Sequence, residues 1–242
     1  MRPSRRTALI AGLWFAGTFV FSIPAGLLYD PILTDVEYIL GAGADRRIEL
    51  GAMLEILLAV SGIATAVVFY PVLKRQNEAV AFGYIGARTV EGIIILVGVA
   101  AVLSVVILRQ DVGGAGAADP ASLEIAGRSL VTFHEWTRLL GPQFCAGFGN
   151  GILLGYLMYT SRLLPRRLAL LGLIGGPLAV AGGILVVFGA IDLEPGSAPL
   201  FLFTVIEALW EASLTIWLIV KGFSPSPIAA AYDREAKIAL DG

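Results

Sequence analysis

The chain has 242 residues, 57% hydrophobic and only 15% charged, with a mean hydropathy of +0.83 and a formal net charge of −2. Soluble domains carry about a quarter charged residues, so this balance is that of an integral membrane protein, with the bilayer as a partner and no nucleic acid expected. One cysteine, Cys145, and one histidine, His134, exclude an intrachain disulfide and multi-cysteine or multi-histidine metal sites; no metal or cofactor is expected.

The N-terminus "MRPSRRTALIAGLWFAGTFVFSIPAG" has the basic start and apolar run of a signal peptide. It lacks an A-x-A-like cleavage site, and its apolar run continues to Tyr29, so it reads as a retained first span over 7–29. A span needs about 20 mostly apolar residues to cross roughly 30 Å of hydrocarbon. Five more segments qualify, at 48–73, 81–108, 142–160, 167–190 and 199–221, followed by a tail at 223–242. Apolar runs of this length exclude barrel strands. The expectation is an all-α polytopic membrane protein, one domain built as a six-helix transmembrane bundle.

Lys and Arg set its orientation. Eleven of them (Arg2, Arg5, Arg6, Lys74, Arg75, Arg162, Arg166, Arg167, Lys221, Arg234 and Lys237) share one side, against five (Arg46, Arg47, Arg109, Arg128 and Arg138) on the other. The richer side belongs in the cytoplasm, which puts both termini inside the cell.

Between spans three and four, "DVGGAGAADP" reads as flexible, and from Ala121 the pattern becomes amphipathic. Leu123, Ala126, Leu130, Phe133 and Leu140 share one face; Glu124, Arg128, Glu135 and Arg138 share the other. This predicts a helix along the outer membrane interface, anchored by Phe133 and Trp136. His134 lies at the boundary of the two faces, either as an interfacial histidine without a task or at the mouth of a polar cavity.

Span four carries Gly147, Gly151 and Gly155, and span five carries Gly172 and Gly176 beside a series of Gly175, Ala179 and Gly183. Small residues at this spacing let helix backbones approach closely. Two readings follow: a hairpin of spans four and five, favoured by the short loop "SRLLPR", or a face for a second copy in a homo-oligomer.

The spans also hold Glu55, Arg88, Glu91, Asn150, Glu207 and Glu211. Each acid at mid-span costs about 2.5–3.5 kcal/mol on insertion scales, so a function or a firm structural reason is required. Tyr84, Arg88 and Glu91 form one polar stripe on span three; Thr204, Glu207 and Glu211 form another on span six. Two such stripes face each other or a wet cavity. Arg88 needs a carboxylate, either Glu91 on its own helix or Glu211 across the bundle.

The stretches "GYIGARTVEGIIILVG", "LLGPQFCAGFGNGILLGYLMYTSRLLPRRLALLGLIGGP" and "LWEASLTIWLIVKGF" resemble the bacterial six-span membrane protein family catalogued as domain of unknown function 4386. The resemblance runs from about residue 7 to 224, most specifically through spans four and five. It implies that Arg88, Glu91, Asn150 and Glu211 match the family's polar positions, with a looser match at Glu55 and Glu207. It brings a membrane topology and no activity, cofactor or substrate.

Two functional readings remain. In the first, a non-enzymatic membrane protein handles protons or a small polar or cationic ligand through Arg88, Glu91, Asn150, Glu207, Glu211, Glu55 and Tyr84. In the second, a structural or regulatory subunit uses the same charges only to lock its bundle. Catalysis ranks last: no residue pattern of an intramembrane protease is present, and a lone histidine builds no multi-histidine site.

Overall fold

The computed structural model describes residues 2–34, 38–40, 45–110, 119–193 and 197–241, which are helical apart from turns and short connections. The long helices are α1 (Pro3–Leu28), α3 (Asp45–Leu73), α4 (Glu78–Gln110), α7 (Arg166–Val187) and α8 (Ala198–Val220), with a short α2 (Asp30–Thr34). These five are long and apolar enough to cross a membrane. Their ends follow local chemistry. Pro3 starts α1 several residues before the expected span, where a proline's missing N–H costs no helical bond. The Asn77 side chain accepts from the Val80 amide at 3.1 Å and opens α4.

The segment expected as a fourth apolar span differs from a plain α-helix. Helix α5 (Pro120–Arg138) begins at the Asp119 cap and runs without a break into two π-helical segments, Leu139–Cys145 and Gly147–Leu154, and then α6 (Gly155–Ser161). Pro142 and glycines 147, 149 and 151 lie within the widened turns, and π-turns of this kind concentrate at functional sites. The loop expected to be flexible, 111–118, lies outside the described residues.

Helix α5 packs along α4. Its buried residues are Leu123, Gly127, His134 and Thr137, whereas Phe133 and Leu140 are exposed. The reason is steric: Gly98 on α4 has no Cβ, and the Thr137 hydroxyl and His134 ring fill that space.

The long helices close a ring: α1 against α3, α3 against α4, α4 against α5 and the π segments, these against α7, α7 against α8, and α8 back against α1. The glycine series works inside this ring. A Cβ on Gly151 would overlap the Gly176 Cα, and one on Gly172 would sit 2.7 Å from the Trp210 ring. Gly147, Gly151, Gly155, Gly172, Gly175, Gly176 and Gly183 are all buried against helices of the same chain. The π segments and α7 thus form the tight hairpin.

Both chain ends meet at one end of the ring, the terminal end. Helix α9 (Pro227–Asp241) docks there: Asp233 accepts from the Ser4 amide and hydroxyl, Tyr232 bonds Thr7, and Glu235 pairs with Arg75. The tail is therefore a helix packed on the bundle, with Ala229 in the largest apolar core beside Phe69, Leu214 and Leu218. Gly222, at φ +76°, reverses the chain after α8, and Arg5 donates to the freed carbonyls of Leu218 and Ile219. At the opposite, far end, Arg109 pairs with Asp45 and lies over the Tyr38 ring, and Arg47 donates to the Leu27 carbonyl.

Candidate functional site

Arg88 on α4 is buried at 3% exposure and donates from Nη1 to Glu91 Oε2 at 2.5 Å. Its Nε donates to the Gly62 carbonyl on α3 at 3.2 Å. A Cβ at Gly62 would stand 2.7 Å from the guanidinium, so only glycine admits this approach. The spacing of three residues on one helix therefore decides the pairing: Arg88 takes Glu91, and no ion pair to Glu211 forms.

From Gly62 the polar contacts continue. Thr65 donates to the same Gly62 carbonyl at 2.6 Å and lies 3.3 Å from the Tyr84 hydroxyl. Tyr84 donates to Asn150 Oδ1 at 3.0 Å, and Asn150 Nδ2 donates to Glu211 Oε1. One connected path thus runs from Glu91 through Arg88, Gly62, Thr65, Tyr84 and Asn150 to Glu211, using α3, α4, the second π segment and α8. The Asn150 carbonyl also accepts from Trp210 Nε1 at 3.0 Å and from the Gly155 amide that closes its π turn. In a low-dielectric interior, every link left unmade would cost more than in water, so this network holds Asn150 and Glu211 in one place.

Glu207 differs from the other acids. It is 6% exposed, and neither carboxylate oxygen has a hydrogen-bond partner among the described residues. Its back is set by glycines: a Cβ at Gly151 or Gly175 would lie within 3 Å of its Oε2. Its front meets a cavity of about 310 Å³ among α5, the first π segment, α7 and α8. On α8 the lining residues are Leu200, Phe201, Thr204, Glu207, Ala208 and Glu211, successive turns of one face. That face spans roughly 17 Å at ~1.5 Å per residue, from near the far end to the middle of the helix. Two carboxylates thus sit at the deep end, with Glu135 and Arg138 of α5 also lining the wall.

The other expected residues lie elsewhere. Glu55 accepts from the Tyr29 hydroxyl at 3.2 Å and has no bond to the Arg88 network. His134 is 1% exposed, packs edge-on against Tyr29, and places Nδ1 3.2 Å from the Gly98 carbonyl. A carbonyl only accepts, so Nδ1 carries the proton. His134 lies under α4 instead of at a cavity mouth; its neighbours Glu135 and Arg138 line the cavity. Trp210, Thr65, Gly62 and Arg138 were not among the expected site residues. For Trp210 a signal existed: a tryptophan at mid-span, away from the interfacial belts, asks for an internal acceptor.

The arrangement has two halves. One is a closed network around Arg88, and the other is an open carboxylate pair facing a cavity, able to receive a proton, a cation or a hydrogen-bond donor. The family model described as Domain of unknown function (DUF4386) matches residues 10–222 of the chain. No curated protein and no solved structure matches it.

Proposed function

The chain belongs to the family described as Domain of unknown function (DUF4386), and from that premise we propose a membrane-embedded binding protein that receives a small cation-bearing solute or a proton in the cavity between α5 and α8. The observation that carries this reading is Glu207: a carboxylate 6% exposed, without a partner among the described residues, at the wall of a cavity of about 310 Å³. A buried carboxylate is satisfied by a hydrogen bond, a counter-ion or a proton, and here the cavity is the side from which one arrives. Glu211, held by Asn150, is the second acceptor. Arg88 and Glu91 fix the rotation of α4 against α3 and take no direct part.

The topology belongs to the same proposal. The chain spans a bacterial inner membrane six times, the sixth span being the π-helical segment with α6, and α5 enters from the outer interface. The terminal end, which gathers the larger share of Lys and Arg, is cytoplasmic, so the cavity serves the outer side. No catalytic constellation accompanies the site, and the reading is non-enzymatic.

The test is proton and monovalent-cation flux in proteoliposomes of purified protein, alongside thermal stabilisation by cations in detergent. Wild type is expected to respond in at least one assay, and Glu207→Gln to fold normally and lose the response. Should the wild type give neither flux nor stabilisation, the cluster is a structural lock and the chain a scaffold or regulatory subunit. The closed Arg88 network favours that second reading.

A further inference from the structure

At the terminal end another cavity, of about 300 Å³, lies where the start of α1 meets the end of α8. Its wall is Arg2, Ser4, Arg5, Lys221 and Phe223: three cations, a hydroxyl and a ring, with no carboxylate. None of the three cations joins an ion pair among the described residues. Arg5 donates from Nη1 and Nη2 to the Leu218 and Ile219 carbonyls at 3.0 and 2.6 Å. Carbonyls are neutral, so these bonds tie α1 to α8 and leave the positive charge in place, with further N–H donors to spare. One carboxylate is bonded to this wall, that of Asp233, and both its oxygens accept from Ser4, at 2.7 and 2.8 Å. Three cations against one acid leave the wall positive. The cavity also has a depth. Helix α1 has 26 residues, roughly 39 Å at ~1.5 Å per residue, against ~30 Å of hydrocarbon. Its first turn therefore stands in the headgroup layer, where α8 ends as well, at Val220.

We infer that this cavity binds the phosphate of an anionic phospholipid, such as phosphatidylglycerol, from the leaflet at the terminal end. The phosphate lies among Arg2, Arg5 and Lys221, with paired N–H donors from the guanidinium groups and a point charge from the ammonium. Basic pockets beside membrane spans suit such headgroups, and like charges gathered round one space are relieved by an anion between them. Phe223 offers apolar surface to the glycerol and the first methylenes. A zwitterionic lipid carries its own ammonium beside the phosphate and gains less from a positive wall. Since Ser4 and Arg5 also hold α9 and α8, a bound headgroup reinforces the ring at the place where it closes. This inference rests on the membrane embedding proposed above and is independent of Glu207.

The experiment is native mass spectrometry of the purified full-length protein in detergent, titrated with phosphatidylglycerol or phosphatidylcholine of the same chains. Wild type is expected to bind its first phosphatidylglycerol roughly tenfold more tightly, since each basic side chain near an anionic headgroup contributes about fivefold. Arg2 and Lys221 are exposed, so the double variant Arg2→Gln, Lys221→Gln should fold as wild type and lose the preference. Arg234→Gln with Lys237→Gln removes the same charge from exposed positions on α9, outside the cavity, and should keep it. Equal affinity of wild type for the two lipids overturns the site. A preference that survives loss of Arg2 and Lys221, or that is lost equally in the α9 variant, overturns it too. Glycerol phosphate and inorganic phosphate form the last arm and are expected to bind more weakly than the lipid. Should either bind wild type as tightly, the ligand is a soluble phosphate and the lipid is overturned. None of these readouts involves cation flux or Glu207, so the lipid site and the role of Glu207 stand or fall separately.

Discussion

Trp210 and Asn150 are joined across the bundle by a 3.0 Å hydrogen bond from the indole Nε1–H to a backbone carbonyl that also closes a π turn. The indole is fully buried and rests on Gly172, so one side chain ties α8 to the π segment and to α7. It stands between Glu207 and Glu211 in sequence, and their places in the cavity depend on it.

Trp210→Phe keeps most of the ring and removes the donor. The loss of this bond and the smaller ring should cost about 1–3 kcal/mol. Thermal unfolding in detergent should show a lower midpoint, whereas Trp14→Phe, at a partly exposed position on α1, should leave it unchanged. Equal midpoints for the two variants would remove the anchoring role of Trp210.

The Arg88 pairing sorts the acids. Arg88→Ala strands Glu91 in the interior and should cost about 3–5 kcal/mol. Glu91→Gln strands the guanidinium and should also be costly. Glu211→Gln retains a carbonyl that accepts from Asn150 Nδ2 and should cost under ~1 kcal/mol. Denaturant titration in lipid nanodiscs gives this order directly; a Glu211 variant as damaging as the Glu91 variant would contradict the pairing.

Close backbone approach makes a position-specific prediction. Gly151→Leu forces a side chain into the Gly176 backbone and the Glu207 carboxylate and should abolish stable folding. Gly86→Leu, on the same bundle but with nothing within 4 Å of the added carbon, should be tolerated. Yield and monodispersity after purification report the difference.

Cysteine labelling tests the sidedness. In a Cys145→Ser background, single cysteines at Gln76 and Arg234 should be labelled only from the cytoplasm, and one at Ser129 only from outside. Labelling of Gln76 and Ser129 from the same side would rule out the proposed topology.

Much of the helical plan is legible in the sequence because hydrophobic runs mark helices within a few residues of their ends. The partner of Arg88 is legible only to a choice of two, Glu91 on its own helix or Glu211 across the bundle, and the structure selects Glu91. What lies across helices is not legible. Whether Arg138 or His134 looks into a cavity depends on the rotation of α5, and that rotation is set by Gly98 yielding space to Thr137. Amphipathic patterning marks the apolar face of α5 but not its contact with α4, which small and polar groups make. Widened turns at 139–154 shift every later side chain around the axis, and no period in the residues announces them. Gly62 and Thr65 escaped notice for another reason: the Gly62 carbonyl joins the site through its backbone, and Thr65 acts only beside a tyrosine from another helix.

The closure of the ring between α1 and α8 has a consequence for biogenesis. The Ser4 bonds to Asp233 bridge 229 positions of sequence, and the Arg5 bond to the Leu218 carbonyl bridges 213. While the ribosome is still making the middle of the chain, the first helix has α3 for company and one flank bare. Thr7, bonded to Tyr232 in the finished ring, has no such partner until the tail helix is made. Assembly of this bundle is therefore completed only after α8 and α9 are made, and a chain stopped before α8 leaves an open arc with Asn150 lacking its Glu211 partner. Such truncated products should be cleared by membrane proteolysis rather than accumulate as half-formed bundles.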